Sequence, residues 1–443
     1  MNKKLVQALY AELPQLVAQG VLTPEAANQL HAHYGAVDTP RTSGLAILIF
    51  GVLGALLIGA GIILVLAHNW DGLPRSARAA LSFLPLLLAQ SLAAWALLRR
   101  PQSLAWREGS SALLFLMIGA SISLVAQTYN ISGDLPRFLL TWALLGLPLV
   151  YLFDTLVPAI LTLWGFTEWA CHLRCEDSFN AGYWLLAALL LPQLLRWLRV
   201  NRYQVRPTIL LWALCVSVTI AAGVTIERVL PGLWIILYSG LFALMFLAGE
   251  FWFNETEGFW SRPLRHFGSG GLLVMAFLLT FEWPWHEIGW DYWRWNEHMR
   301  GAAWRAIPDA VLGSVIPIAA ITLLAMTRRR KKPLAIVLGI APILAALSYG
   351  LTNVSETYAP AAGIYDLYLL AVGLWLMITG IRIGQQGQMN VGLLAVTALI
   401  LARFFDSDLS FLLRGLLFIA LGIAFLVANI TMLRRKGTNH EQA

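Results

Sequence analysis

The sequence predicts an all-α fold, a polytopic transmembrane helix bundle of about fourteen spans behind a short N-terminal cytoplasmic helical hairpin. Three observations predict it. Only 12% of the residues are charged and 58% are hydrophobic, whereas a soluble domain carries about 25% charged residues and cannot bury so much apolar surface. Apolar runs of the length demanded by a hydrocarbon core of about 30 Å recur along the whole chain. Lys and Arg gather in blocks between those runs, such as "RWLRVNRYQVR" and "RRRKK".

The first element is the hairpin, residues 1–40. In "KKLVQALYAELPQLVAQ" the residues Leu5, Leu9, Leu13, Leu16 and Val17 recur at helical spacing and make one apolar stripe. Gly20 suits the end of that helix. "LTPEAANQLHAHY" then restarts, with Thr23 as N-cap, Pro24 at the first helical position and Glu25 in the first turn. A unit this small lacks a stable core of its own, so it is expected to dock on the membrane domain, on another copy or on a cytoplasmic partner. The segment lacks the apolar core of a secretory leader, so no cleavable signal is expected.

The transmembrane domain follows over 41–436, with 437–443 as a cytoplasmic tail. Spans are expected near 44–67, 77–98, 109–127, 136–153, 156–172, 181–198, 207–226, 229–249, 266–282, 305–327, 333–351, 364–383, 389–405 and 411–433. The fifth and ninth are short or interrupted by polar residues. With the N-terminus inside, 21 of the 31 Lys and Arg residues fall on the cytoplasmic side, including every lysine. That bias is what cytoplasmic loops show, and it supports an even number of spans. The net charge of +7 then reads as topology and contact with anionic lipid heads, and no nucleic-acid partner is expected.

The outward-facing turns carry the remaining polar residues. "LAHNWDGLPRSAR" contributes His68, Asn69, Trp70 and Asp71, and "LVAQTYNISGDLPR" contributes Gln127, Asn130 and Asp134. "AGIYDLYLL" contributes Asp366, and "LARFFDSDLSFLLRG" contributes Arg403, Asp406, Asp408 and Arg414. Two readings stand. If the hairpins pack together, these residues line an outward-facing polar cavity for a polar or headgroup-bearing ligand. Otherwise they are helix caps and interface anchors. Within the last turn, Arg403 can pair with Asp406 three residues on, Asp408 or Ser410 can cap the final helix, and Arg414 sits one turn inside it.

The longest external loop, 281–305, holds six tryptophans: Trp283, Trp285, Trp290, Trp293, Trp295 and Trp304. That density fits a segment lying in the membrane interface or a face for stacking on sugars. Asp309 is spaced to pair with Arg305, and Pro308 and Pro317 mark an expected kink. Cys171 and Cys175 either form a small external disulfide or sit unbonded one turn apart on a helix. The two histidines His31 and His33, and the Cys-His-Cys group, lack further ligands, so no metal or cofactor is expected. No phosphate-cradling loop, zinc-protease helix or nucleophile elbow is present in the sequence, so neither an ATPase nor a membrane metalloprotease is expected.

The stretches "LVAQGVLTPEAANQL", "GALLIGAGIILVLAHNWDGLPRSAR" and "SLVAQTYNISGD" resemble the bacterial membrane proteins described as domain of unknown function twenty-one fifty-seven. The resemblance covers about 1–155, and "GLLAVTALILARFFDSDLSFLLRGLLFIALGI" is similar to longer members. It implies a bacterial inner-membrane protein with a cytoplasmic helical head, and it implies no activity and no catalytic residues. Three functions are therefore weighed. The first is an envelope scaffold or sensor, contacting membrane lipids and another envelope protein or a second copy. The second is a transporter or lipid-linked flippase. The third is a membrane glycosyltransferase using Asp71 or Asp134 as base.

Overall fold

The computed structural model describes residues 9–10, 12–13, 16–17, 19–34, scattered positions from 50 to 72, and then 74–406 except 177, 227–231, 254–257, 287, 289–305, 329–332, 353 and 355–356, with 419 and 422–423 beyond. Among these residues the elements are α-helices and 3-10 turns, with no strand. Helix α1 spans Pro24–Tyr34. Its start is as the sequence predicts, for the Ala26 amide donates to Thr23 Oγ1 at 3.3 Å. Gly20, at φ +71°, closes the turn before it, with the Val21 amide donating to Leu16 O at 3.0 Å.

The chain forms two compact units. The first comprises residues 1–132 and 148–158, the second 133–147 and 159–443. In the first unit α2 (Arg75–Arg99) and α3 (Leu104–Tyr129) form an antiparallel pair. Pairing at both ends sets the register: Ser82 Oγ lies 3.5 Å from Thr128 Oγ1, and the rings of Trp95 and Trp106 meet edge to face at 5.0 Å. The buried side of α2 is a stripe of small residues, Ser82, Ala89, Ala93 and Ala96. Its other side, with Leu84, Leu87, Leu88 and Leu98, is exposed. That is how a membrane helix is arranged, with small residues at the helix contact and large apolar ones toward lipid. Helices α4 (Leu135–Phe153) and α5 (Leu156–Cys175) follow, with only Asp154 and Thr155 between them.

In the second unit the elements after α5 are α6 (Tyr183–Ala188), α7 (Leu191–Asn201), α8 (Val205–Thr225), α9 (Leu233–Trp252), α10 (Pro263–Leu278), α11 (Ala306–Arg328), α12 (Pro333–Gly339), α13 (Ala341–Thr352), α14 (Ala359–Ile383) and α15 (Gln386–Asp406). Helix α9 is the centre. Apart from Ser239 and Glu250 it is apolar on all sides, as suits a helix enclosed by others, and α8, α10, α11, α12 and α13 all pack on it. Glycines let the backbones approach: a Cβ on Gly268 would stand 2.3 Å from Phe246 N, and one on Gly249 would stand 2.4 Å from Arg265 N. Helices α14 and α15 form a hairpin closed by Gly384 at φ +77°, with Gly380 and Gly392 at the contact.

Among the described residues, eight helical stretches are long and apolar enough to cross a membrane: 75–99, 104–129, 135–153, 205–225, 233–252, 307–327, 333–352 (α12 and α13 together) and 359–383. The expected first and last spans lie outside the described residues or are too sparsely described to assign. The fifth and thirteenth are single helices, α5 and α15, that are not among the eight. The ninth, α10, has only 16 residues. The sixth differs from expectation, since it breaks into α6 and α7 at residues 189–190, where Pro192 near the start of α7 lacks the amide that would carry the helix through. Helix α11 runs unbroken through Pro317. Asp309 is buried there, while Arg305, its expected partner, lies outside the described residues.

The backbone contact at Gly268 predicts a specific sensitivity. Gly268→Ala forces its methyl against backbone that cannot swing aside and should cost about 1–3 kcal/mol, the range for overpacking. Gly363→Ala, with nothing within 4 Å of the new methyl, should leave stability unchanged or slightly higher. Thermal loss of the monodisperse peak in detergent measures both.

Candidate functional site

The most constrained polar group lies in the first unit, where the chain reverses between α4 and α5 in two residues. A reversal this tight strands the last carbonyls of one helix and the first amides of the next. The dipeptide Arg107–Glu108, near the start of α3, supplies partners for both. Glu108 is buried, and its two oxygens accept from the Leu156 amide at 2.8 Å and the Val157 amide at 3.0 Å. Arg107 donates through Nε to Phe153 O at 2.8 Å, and through Nη2 to that same carbonyl and to Asp154 O at 3.4 Å. Its Nη2 also lies 3.5 Å from Asp154 Oδ2. Asp154 takes the left-handed conformation, φ +52°, and Ser111 Oγ donates to Thr155 Oγ1 at 3.2 Å. The anion thus sits at a helix N-terminus and the cation at a helix C-terminus, the favourable sign at each end.

A second polar group ties three helices together in the other unit. Arg403 on α15 donates to one oxygen of Asp366 on α14, from Nε at 3.1 Å and from Nη2 at 2.9 Å. Its Nη2 also donates to the carbonyl of Thr280, just beyond the C-terminal end of α10. Beside this, Trp285 is fully buried, donates to Leu279 O at 3.1 Å and packs on Tyr365 with ring centroids 5.8 Å apart. This tryptophan is therefore core, not part of an interfacial or sugar-stacking face. The tryptophans at 290, 293, 295 and 304 lie outside the described residues.

The other expected site residues are placed as follows. Gln127 is exposed at the end of α3. Asn130 takes the left-handed conformation that ends the helix. Asp134 accepts from the Arg137 amide at 2.8 Å and pairs with its side chain at 3.0 Å, holding the first turn of α4. Asp406 ends α15 and its side chain is not described; His68, Asn69, Trp70, Asp71, Asp408 and Arg414 lie outside the described residues. So Asp366 and Arg403 are brought together, and Asp134 serves its own helix. Cys171 and Cys175 are unbonded on α5. In the sequence Arg107 is one of many basic residues flanking apolar runs, and Glu108 belongs to no motif. An adjacent Arg-Glu at the head of an apolar run was the available signal. Glu250 on α9 is likewise in no motif, and its Oε1 lies 2.6 Å from Arg265 Nε on α10.

Residues 14–159 match the family described as "Predicted membrane protein (DUF2157)". The match agrees with the resemblance of the N-terminal motifs and takes in the whole Arg107–Glu108 clamp with the α4–α5 turn. No curated protein and no solved structure matches the chain. The chain is a membrane protein with multiple apolar helices.

The clamp makes an ordered prediction. Glu108→Ala leaves two buried amides without an acceptor and should cost about 1–3 kcal/mol. Glu108→Gln keeps an acceptor for one of them and should lose about half as much. The ranking wild type, Gln, Ala in thermal unfolding in detergent checks the assignment, and equal stability of the two variants would contradict it.

Proposed function

Proceeding from a membrane protein whose residues 14–159 carry the DUF2157 segment, we propose that the chain is an envelope scaffold or sensor of the bacterial inner membrane. It crosses the bilayer about fourteen times with both termini in the cytoplasm, and its N-terminal helical hairpin is the head that meets a partner protein or a second copy. One observation carries the reading: the expected site carboxylates with described side chains are engaged in building the fold. Asp134 holds the start of α4, and Asp366 holds Arg403 across to the end of α10. A catalyst would keep a carboxylate aimed at a substrate. Asp134, one of the two alternative bases of the glycosyltransferase reading, is bonded to its own helix.

The transporter or flippase reading stands second, favoured by the Asp366–Arg403 pair. Each side chain remains about a third exposed, 32% and 29%, and the pair links three helices at one point, as a gate between helices requires.

Complementation of a strain lacking the chain separates these. Removal of residues 1–40 should abolish rescue while the protein stays in the membrane, and Asp71→Asn, Asp134→Asn and Asp408→Asn should each rescue fully. Full rescue without the head, together with loss through any one carboxylate at normal protein levels, would replace the scaffold reading with a site-based one. A green fluorescent C-terminal fusion should be bright, since the barrel matures in the cytoplasm.

A further inference from the structure

One face of α5 ends in side chains that the fold does not use. Glu168, Cys171 and Cys175 stand three and then four residues apart, so they share that face. Glu168 and Cys175 are exposed, and Cys171 is half-buried. Both thiols are free. Cys175 and Glu168 are near enough to Cys171 to act on it electrostatically. Among the described residues the three side chains make no hydrogen bond or ion pair. The third cysteine, Cys215, is buried on α8.

Spacing decides what such a pair of thiols can hold. Residues four apart on a helix have Cβ atoms roughly 5–6 Å apart. Two metal–sulfur bonds of about 2.3 Å each reach across a gap of that size. A disulfide needs Cβ atoms about 3.8 Å apart, so joining the sulfurs directly would unwind the last turn of α5. A cation between them needs no such change.

The number of donors then selects the cation. Among the described residues no three His, Cys, Asp or Glu side chains are placed to share a metal ion. Zinc takes four ligands and calcium and magnesium take oxygen, so two sulfurs alone suit none of them. Soft thiolates select copper(I), a closed-shell cation that is satisfied by two ligands in line. The exposed carboxylate of Glu168, on the same face, adds negative charge where a cation would approach.

We propose that Cys171 and Cys175 hold one copper(I) ion between their sulfurs. On binding, each thiol gives its proton to water and each sulfur donates a lone pair to the metal, with no change of oxidation state. The site lies on one helix of the second unit and is independent of the scaffold reading.

Full-length protein in detergent, with its thiols reduced and air excluded, tests this by titration against copper(I) bicinchoninate, whose colour falls as the metal is withdrawn. One copper per chain should be taken up, and X-ray absorption should show two sulfur neighbours. Cys171→Ser and Cys175→Ser should each weaken uptake by more than roughly 100-fold, beyond what losing a ligand's supporting residue costs. Cys215→Ser should leave it unchanged. The double change Leu173→Cys/Cys175→Ser keeps two thiols near the helix end but sets them roughly 200° apart around it, and it should bind no better than Cys175→Ser. Equal uptake by that displaced pair would overturn the site, as would uptake that depends on Cys215. Zinc held as tightly as copper(I) would overturn the two-ligand assignment. If a serine variant does not elute as a monodisperse peak, capping the α5 thiols of the folded wild-type chain with N-ethylmaleimide replaces it, and the same loss of uptake is required there.

Discussion

Everything in this fold depends on closing the ends of its helices. Inside hydrocarbon there is no water to take the stranded amides and carbonyls, so a chain that reverses near the membrane must bring its own partners. The α4–α5 reversal has two residues in which to do so. It succeeds because Arg107 and Glu108, on a different helix, reach both stranded ends at once. Elsewhere the same demand is met more cheaply. Asn130 and Gly384 adopt left-handed backbone and let following amides fold back onto the helix. Beyond the end of α10 a cation is used again, Arg403 on Thr280 O. The α14–α15 reversal has two residues as well, and there Gly384 closes it locally, so the length of the reversal does not by itself choose between a local and a charged, tertiary solution.

Packing between the closed helices follows a second constraint. Lipid offers apolar surface as readily as protein does, so helices associate through close fit rather than through escape from water. Hence the small residues at the contacts: Gly240 against Pro317, Gly268 against Phe246, Gly380 against Met389. Helix α10 shows where the rule changes. Gly268 is pressed into α9, while Gly270, two residues on and roughly 200° around the helix, faces open space. A glycine that admits a neighbouring backbone and a glycine beside open space look alike in sequence.

That contrast marks how far the sequence could be read. Composition and apolar length were enough for an all-helical membrane protein, because they respond to one strong force. The Thr23 cap and the Gly20 turn were legible because they are local, with every partner within a few residues. The break between α6 and α7 was harder, since "WLLAALLLPQLLRWL" reads as one apolar run and only Pro192 hints at the interruption. Arg403 shows the remaining gap. Spacing suggested Asp406, three residues on, and its structural partners, Asp366 and Thr280, are 37 and 123 residues away. Pairings set by which helices become neighbours are not written in spacing, and the Arg107–Glu108 clamp was missed for that reason.

The same fact bears on function. Charges in a membrane domain are expensive to place and therefore invite a functional reading, and the turns of this chain carry several of them. Once helices are assembled, Asp134, Asp154, Glu108 and Asp366 all have partners that the fold itself needs. Helix closure and helix pairing account for these four charges. Beyond Glu168 and the two thiols of α5, what the fold leaves unengaged is of another kind: the exposed apolar faces of α2 and α10 and the buried His266 nitrogen beside an open groove. A surface of that chemistry is the kind a membrane helix turns toward lipid, where large apolar side chains replace the small ones of the helix contacts.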